Sequence, residues 1–596
     1  MLNASRYFHT LRHLRPVQLY GRLWYKLYHP KPDLSPPPAL RPLAGTWRAP
    51  ARKPYSLIAF QRFRFLNEEH DILAAADWNH IDWAKLWLYN LHYFDDLNAV
   101  NSDVRLDWHQ SLITCWIAEN HPVAGKGWEP YPISLRIVNW IKWVLAGNEL
   151  PSGALESLAV QVRYLTRRME YHLLGNHLFA NAKALIFAGL FFDGKEAEIW
   201  LEKGLRILAA ELPEQILADG GHFELSPMYH SIIFEDLLDL INLSRCYGSK
   251  ILDSSLRGND IKDLWNAMIE GDEAKTEKGN NELAETERAP MIRSAERMLA
   301  WLRVMSHPDG QIALFNDAAM EIAVHPADLI EYAERLAVRE DSVSQLEHSV
   351  IIKSGIECLS SGSIKLTHLI NSGYIRVENG PMTAILDVAP IGPNYLPGHA
   401  HADTLSFELS LFGQRVLVNS GTSQYDGNDA ERQRQRGTAA HNTVTINGQD
   451  SSEVWSVFRV ARRARPLDLE IRETSIESIV VRCAHDGYRR LSGKPVHWRK
   501  WHFENHSLTV YDVIEGRFTE VVGRFHFHPS ITLRTMDRNL FSIFLPGGET
   551  IACHVQTGAS RLVPSTYHPE FGLTCQNQCL EIQLNDNALH IIFNWS

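Results

Sequence analysis

Four stretches of the chain concentrate side chains that can move protons or hold ions. The densest is PNYLPGHAHADTLSFELSLFGQRVLVNSGTSQYDG, residues 393–427. There His399, His401 and Asp403 alternate, so an extended backbone would turn all three to one face. Both imidazoles can meet a substrate, or one can bind a metal while the other works as a base. Asn419 follows the apolar VLV, and His441 opens HNTVTING. A His, His and Asp or Asn set spread over strands suits zinc. Polar residues on an exposed sheet face give the same alternation.

The other three stretches each carry two readings. In GNHLFANAKALIFAGLFF, Asn176 and His177 sit where a loop becomes an apolar helix. Asparagine there is either a helix cap or a side chain presented to a ligand. In ADGGHFELSPMYHSIIFEDLLDL, Ser226 and Pro227 mark a helix start and place Tyr229 in the first turn. The positive end of the helix dipole favours phenolate; the alternative is an ordinary half-buried tyrosine. The third stretch is basic, ERQRQRGTAAHN and FRVARRAR. Arg434 and Arg436 can grip a carboxylate or sulfate by bidentate bonds, or pair locally on a solvated loop.

Two kinds of element must position these groups. Up to about residue 335, apolar residues recur every three or four positions, as in PISLRIVNWIKWVLAG. The spacing predicts helices over 154–172, 177–191, 195–211, 228–246 and 290–305. GDEAKTEKGNNELAETERA, 271–289, reads as a polar loop or frayed helix, and 336–349 as a connection. Beyond about 350 the period becomes two, in SIKLTHLI, TAILDV, LSFELSLF, SIVVRC and SLTVYDVI, with turn residues between. The chain therefore reads as multidomain, α then β. A helical extension over 1–75 precedes an all-helical unit over 76–340, and an antiparallel β-sandwich occupies 350–596. In the extension Tyr7, Leu11, Leu14, Leu19 and Leu23 are interspersed with Arg and His, which fits a helix packed on the body or lying on a membrane surface. A cleft between the two large halves is the natural ligand site.

Composition narrows the function. With 596 residues, 45% hydrophobic and 22% charged, the chain is globular. Its net charge of −11 argues against nucleic acid as a partner. Seven scattered cysteines without a CxxC exclude a disulfide framework. No run of about 18 apolar residues predicts a membrane span. The first residues are basic and lack a signal-peptide core, so the expected compartment is the cytoplasm, with the periplasm or envelope as the alternative. The oligomeric state stays open.

GHAHADTLSFEL, the strand leading to NSGT, and RGTAAHNTVTINGQDSSEVW together resemble the heparinase II/III family of polysaccharide lyases; NH at 176–177 and SPMYH at 226–230 support the match. The resemblance implies an incomplete (α/α) toroid followed by an antiparallel β-sandwich. It also implies β-elimination on a uronate-containing acidic polysaccharide, such as a bacterial exopolysaccharide, a capsule or a glycosaminoglycan-like chain. By the resemblance, Asn176 neutralises the uronate carboxyl, Tyr229 protonates the leaving oxygen and for one sugar epimer also takes the C5 proton, and His399 is the base on the opposite face. His177 and Glu224 would assist substrate binding. His401 and His441 match zinc ligands, with Asn419 where the family usually places an aspartate. An amide is a poorer zinc ligand than a carboxylate, so Asp403 is a candidate replacement.

Two other functions compete. A glycoside hydrolase on a helical toroid needs two carboxylates flanking one bond, for which Glu129 and Glu224 are candidates. A glycan-binding protein of surface-polysaccharide assembly needs the fold without the chemistry.

Overall fold

The computed structural model describes residues 2–255, 264–265, 268–269, 289–339, 351–353, 355–425, 430–584 and 586–596. The polar stretch 271–289, apart from Ala289, and the connection 336–349 from residue 340 onward lie outside these residues.

Helices α1 (Leu2–Leu11) and α2 (Pro16–Leu27) open the chain. The expected helical extension ends there. Residues 57–71 instead form a three-stranded antiparallel sheet, Leu57–Ala59, Arg62–Phe65 and Glu68–Asp71. The reason lies in the local pattern: Phe63 is buried between exposed Arg62 and Arg64, a period of two that a helix cannot use.

The helical half follows as α3 (Lys85–Tyr93), α4 (Leu106–Glu119), α5 (Pro130–Leu145), α6 (Ala154–Arg167), α7 (Gly175–Phe191), α8 (Lys195–Gln215), α9 (Pro227–Ser255), α10 (Pro290–Val304) and α11 (Pro326–Arg335). The predicted helices match α6 to α10 to within about five residues, except that α9 runs nine residues past the predicted end, across a break at Gly248 (φ 58°, ψ 156°). Helix α7 is buried along almost its whole length, because α5, α8 and α9 pack around it. It is accordingly apolar all round, with small Ala and Gly residues admitting its neighbours; a Cβ on Gly189 would lie 2.6 Å from the Leu201 backbone nitrogen.

The β half contains antiparallel sheets of seven, eight and four strands. Inward residues of all three, among them Leu366, Phe407, Trp501, Phe525, Leu580 and Phe593, share one core. Alternation is clean on strand Ser507–Glu515. It fails on Met382–Asp387 and Phe407–Leu411, which are buried on both faces. The second face meets the helical half: Trp301 and Met305 of the α10 end pack with Tyr374 and Ile385. Polar bonds reinforce the join, since the Asp219 carboxylate accepts from the backbone of Asn371 and Ser372. The architecture is an incomplete helical toroid seated on a β-sandwich. All seven cysteines are free thiols. Among the described residues no helix is long and apolar enough to cross a membrane.

Candidate active site

A cavity of about 740 Å³ opens where the two halves meet. Asn176, His177 and Tyr229 line it from the helical side, and His399, Tyr425 and Phe458 from the β side.

Each group is fixed by its element. Ser226 precedes α9 and its hydroxyl accepts the Tyr229 backbone N–H, so the phenol projects from a capped first turn. The same hydroxyl donates to the Asp317 carbonyl, tying α9 to the loop that carries Asp317. Asn176 does not cap α7. Its amide donates to Glu224 Oε2 at 3.4 Å. This approach needs Gly175, whose φ is +55° and whose added Cβ would lie 2.7 Å from Glu224 Oε1 and 2.5 Å from Leu396. Leu174 (φ 65°) and Leu225 (φ 60°) beside the two groups hold left-handed backbone, a strain that clusters at functional sites.

His399 sits at the centre. Its ring lies 4.0 Å from the Tyr229 ring, centroid to centroid. Its Nδ1 is 2.9 Å from Asp317 Oδ2, and its Nε2 is 3.7 Å from Glu224 Oε2. Asp317 also receives His401 Nε2 at 2.8 Å and a bidentate Arg432. Burial opposes charge on Asp317, but Arg432 and the imidazoles outweigh it and hold the pKa well below the usual carboxylate range. An ionised Asp317 makes Nδ1 of His399 the proton-bearing nitrogen and leaves Nε2 as the acceptor. Burial, then Tyr425 and the nearby carboxylates, push the Tyr229 pKa well above 10. Its hydroxyl is 3.2 Å from that of Tyr425. The phenol is therefore protonated at neutral pH and suited to give a proton; the dipole of α9 does not prevail over burial. Burial also raises Glu224. His177 pairs with Glu170 at 3.2 Å and packs on Tyr131; Glu170 outweighs burial and raises its pKa.

His399, His401 and Asp403 do not lie on a strand. They occupy an irregular turn, and two of them converge on the Asp317 carboxylate rather than on one face. Arg434 and Arg436 require correction as substrate contacts, since neither lines the cavity. Arg436 is wholly buried and donates to the carbonyls of Ala400, Ser456 and Val457. Arg434 is spent on Glu431, Thr566 and His568. These arginines hold the His399 loop and the sandwich together. Asp317 and Tyr425 are the site residues that sequence reasoning missed. Asp317 follows the apolar IALF and Asn316 without any motif, and only its polarity after a buried run marks it.

Behind His399, one ligand atom each of His401, Asp403 and His441 lie within 4.8 Å of one another. His401 Nδ1 and His441 Nε2 are buried without a hydrogen-bond partner. Their other nitrogens are engaged by Asp317 and by Asn419 Oδ1 at 3.1 Å, which leaves lone pairs on the two free nitrogens. The set fits a metal such as zinc, with Asp403 as the carboxylate. Asn419, expected as the third ligand, lies beside the set with its Oδ1 on His441 Nδ1. Glu129, a candidate hydrolase acid, is bonded by Tyr89 and Lys85; together with Lys126 they outweigh burial and lower its pKa, which keeps it ionised.

A helical toroid on a β-sandwich, with an Asn, a Tyr and a His facing one cavity, defines a class that comparison with known proteins identifies. The family model for the heparinase II/III N-terminus matches residues 146–252, and that for the heparinase II/III-like C-terminal region matches 363–596. The chain belongs to the heparinase II/III-like family. A heparin-sulfate lyase of Bacteroides stercoris is 26% identical over 295 residues, covering 49% of this chain and 38% of that protein. One from Bacteroides thetaiotaomicron is 40% identical over 384 residues, covering 58% and 49%. Each match thus spans less than half of the relative's length. The crystal structure of heparinase III superposes with a TM-score of 0.59 at 18% identity, covering 85% of this chain and 77% of that one, which supports the fold.

Proposed function

We propose that the protein is a polysaccharide lyase that cleaves a uronate-containing acidic polysaccharide by β-elimination. The 4.0 Å packing of the Tyr229 phenol on the His399 imidazole, in a cavity that Asn176 also lines, carries this reading. The chemical difficulty is the C5 proton, which lies beside a carboxylate, so that its loss builds a second negative charge next to the first. The Asn176 amide donates to that carboxylate. Glu224, buried behind the cavity wall, accepts from the Asn176 amide and so orients it rather than meeting the sugar itself. Donors fixed in a partly dry site stabilise developing charge more than water does. His399 Nε2 takes the C5 proton while Asp317 steadies the imidazolium. The C5 electron pair becomes the C4–C5 double bond, the C4–O bond breaks, and the leaving oxygen takes the Tyr229 proton. Tyr425 bonds the phenol and is placed to relay its replacement. His177 meets a neighbouring part of the sugar chain.

In the same reading His401, His441 and Asp403 hold one zinc ion. When bound, the metal supplies a fixed positive charge that braces the turn carrying His399.

The test is incubation with a panel of acidic polysaccharides while following ultraviolet absorbance of the unsaturated 4,5-bond. The expected result is absorbance rising in step with new reducing ends. Reducing ends without absorbance would indicate hydrolysis. Glycan binding with neither signal would leave a binding protein.

A further inference from the structure

Helix α2 wears its apolar residues on the outside. Leu19, Leu23 and Leu27 recur every four residues, with Tyr20 and Trp24 beside them, and all five are between 54% and 71% exposed. On α1, Tyr7, Phe8 and Leu11 are exposed as well. A surface helix ordinarily buries such a stripe. Here the opposite face of α2, with Val17 on the core and Tyr25 against His172, grips the body. Gln18 is buried and donates to the Tyr395 carbonyl, Arg15 pairs with Glu214, and Gly21 lies against His172. The stripe is thus presented outward by firm attachment on its back.

Charge identifies what covers it. The segment carries Arg6, Arg12, Arg15, Arg22, Lys26 and Lys31, and no acidic residue precedes Asp33, in a chain of net charge −11. Arg12, Arg22 and Lys26 are exposed around the stripe. Apposing two copies at this face would bring like charges together. An anionic bilayer answers both features: its interface takes Leu, Trp and Tyr, and its headgroups attract Lys and Arg. We infer that α1 and α2 form an interfacial docking surface for anionic lipid membranes, on which the protein rests without crossing. Tyr25, between Trp24 and Lys26, lines the cavity, so docking holds the cavity beside the lipid surface.

The experiment is co-sedimentation of the full chain with phosphatidylcholine vesicles, with and without phosphatidylglycerol. Binding is expected to the anionic vesicles and to weaken with added salt. The Leu23→Gln/Trp24→Gln double variant should bind them about tenfold or more weakly. Arg22→Gln/Lys26→Gln should weaken binding to anionic vesicles only. These side chains face solvent, so both variants should melt at the wild-type temperature. Failure of the wild type to bind, or undiminished binding by both variants, overturns the inference. So does a dimer that Leu23→Gln/Trp24→Gln dissociates in the absence of vesicle binding, which would assign the stripe to a second copy.

Discussion

Asp317 Oδ2 stands 2.9 Å from His399 Nδ1, joining a loop of the helical half to the imidazole of the β half. This contact decides which ring nitrogen is free to accept a proton. Asp317→Asn can place a donor where Nδ1–H now points and favour the other tautomer. Elimination should fall by roughly 10²–10⁴-fold, the usual worth of a positioned proton acceptor. Asp317 is also buried against Arg432, so the variant should lose about 3–5 kcal/mol of stability, as expected when one partner of a buried pair is removed. Turnover measured alongside urea unfolding separates the two losses. Unchanged turnover in the folded variant would show that the Asp317 carboxylate does not set the His399 tautomer.

Tyr229→Phe keeps the ring against His399 and removes the hydroxyl that carries the proton. Turnover should become undetectable or fall by roughly 10²–10⁴-fold with KM nearly unchanged. Normal turnover would exclude the phenol as the acid.

The metal prediction rests on two free nitrogens and one carboxylate. Elemental mass spectrometry of unchelated protein should find about one zinc per chain, and His441→Ala should abolish it. Less than roughly a tenth of an equivalent would leave a hydrogen-bonded network in its place.

Buried neutral imidazoles make the fold sensitive to acid. Burial lowers His92 and His230 to about 3 and His526 to about 4, from 6.5. Each contributes stability that is fully present above pH 6.5 and is lost as pH falls toward those values. Glu224 acts oppositely: burial raises its pKa, so its contribution is lost as pH rises. Burial lowers further imidazoles as well, His222, His485 and His497 among them, and each tenfold change in proton affinity is worth about 1.4 kcal/mol. The melting temperature should therefore drop steeply from pH 6.5 to 4, with net proton uptake on unfolding. A flat profile over that range would show that these rings are not buried neutral.

The sequence exposes what is periodic and hides what the fold assembles. Helices α6 to α10 and strand Ser507–Glu515 follow from the spacing of their apolar residues. Tyr229 was legible because Ser226 and Pro227 announce a helix start. Asp317 was not, because its partners His399, His401 and Arg432 are brought to it by packing between the halves, and no local spacing encodes that. Arg434 and Arg436 misled for a related reason. Their charge is visible in the sequence, but the backbone carbonyls and Glu431 that absorb it are not. The strands at 57–71 were hidden by extrapolating the basic helical pattern of the first thirty residues across a segment with its own period.

The lining of the cavity sets the charge its substrate can bring. Asp95, Glu129, Glu170, Glu235, Asp236 and Asp239 face it, with four lysines and no arginine among the described lining residues. Every lysine is already paired: Lys53 with Asp95 at 2.9 Å, Lys85 with Glu129 at 3.0 Å, Lys142 with Asp239 at 2.9 Å and Lys183 with Asp236 at 2.7 Å. A single uronate carboxylate has Asn176 to receive it. A sulfate on each sugar finds every lysine engaged and meets the ionised carboxylates of Asp95, Glu129 and Asp239, and such like-charge contact costs several kcal/mol. Unsulfated or sparsely sulfated uronate polymers should therefore be cleaved with kcat/KM roughly tenfold or more above heavily sulfated ones of similar linkage. Comparing a polymer before and after chemical desulfation isolates this effect. Faster cleavage of the sulfated form would mean that the lysines exchange their carboxylate partners for substrate.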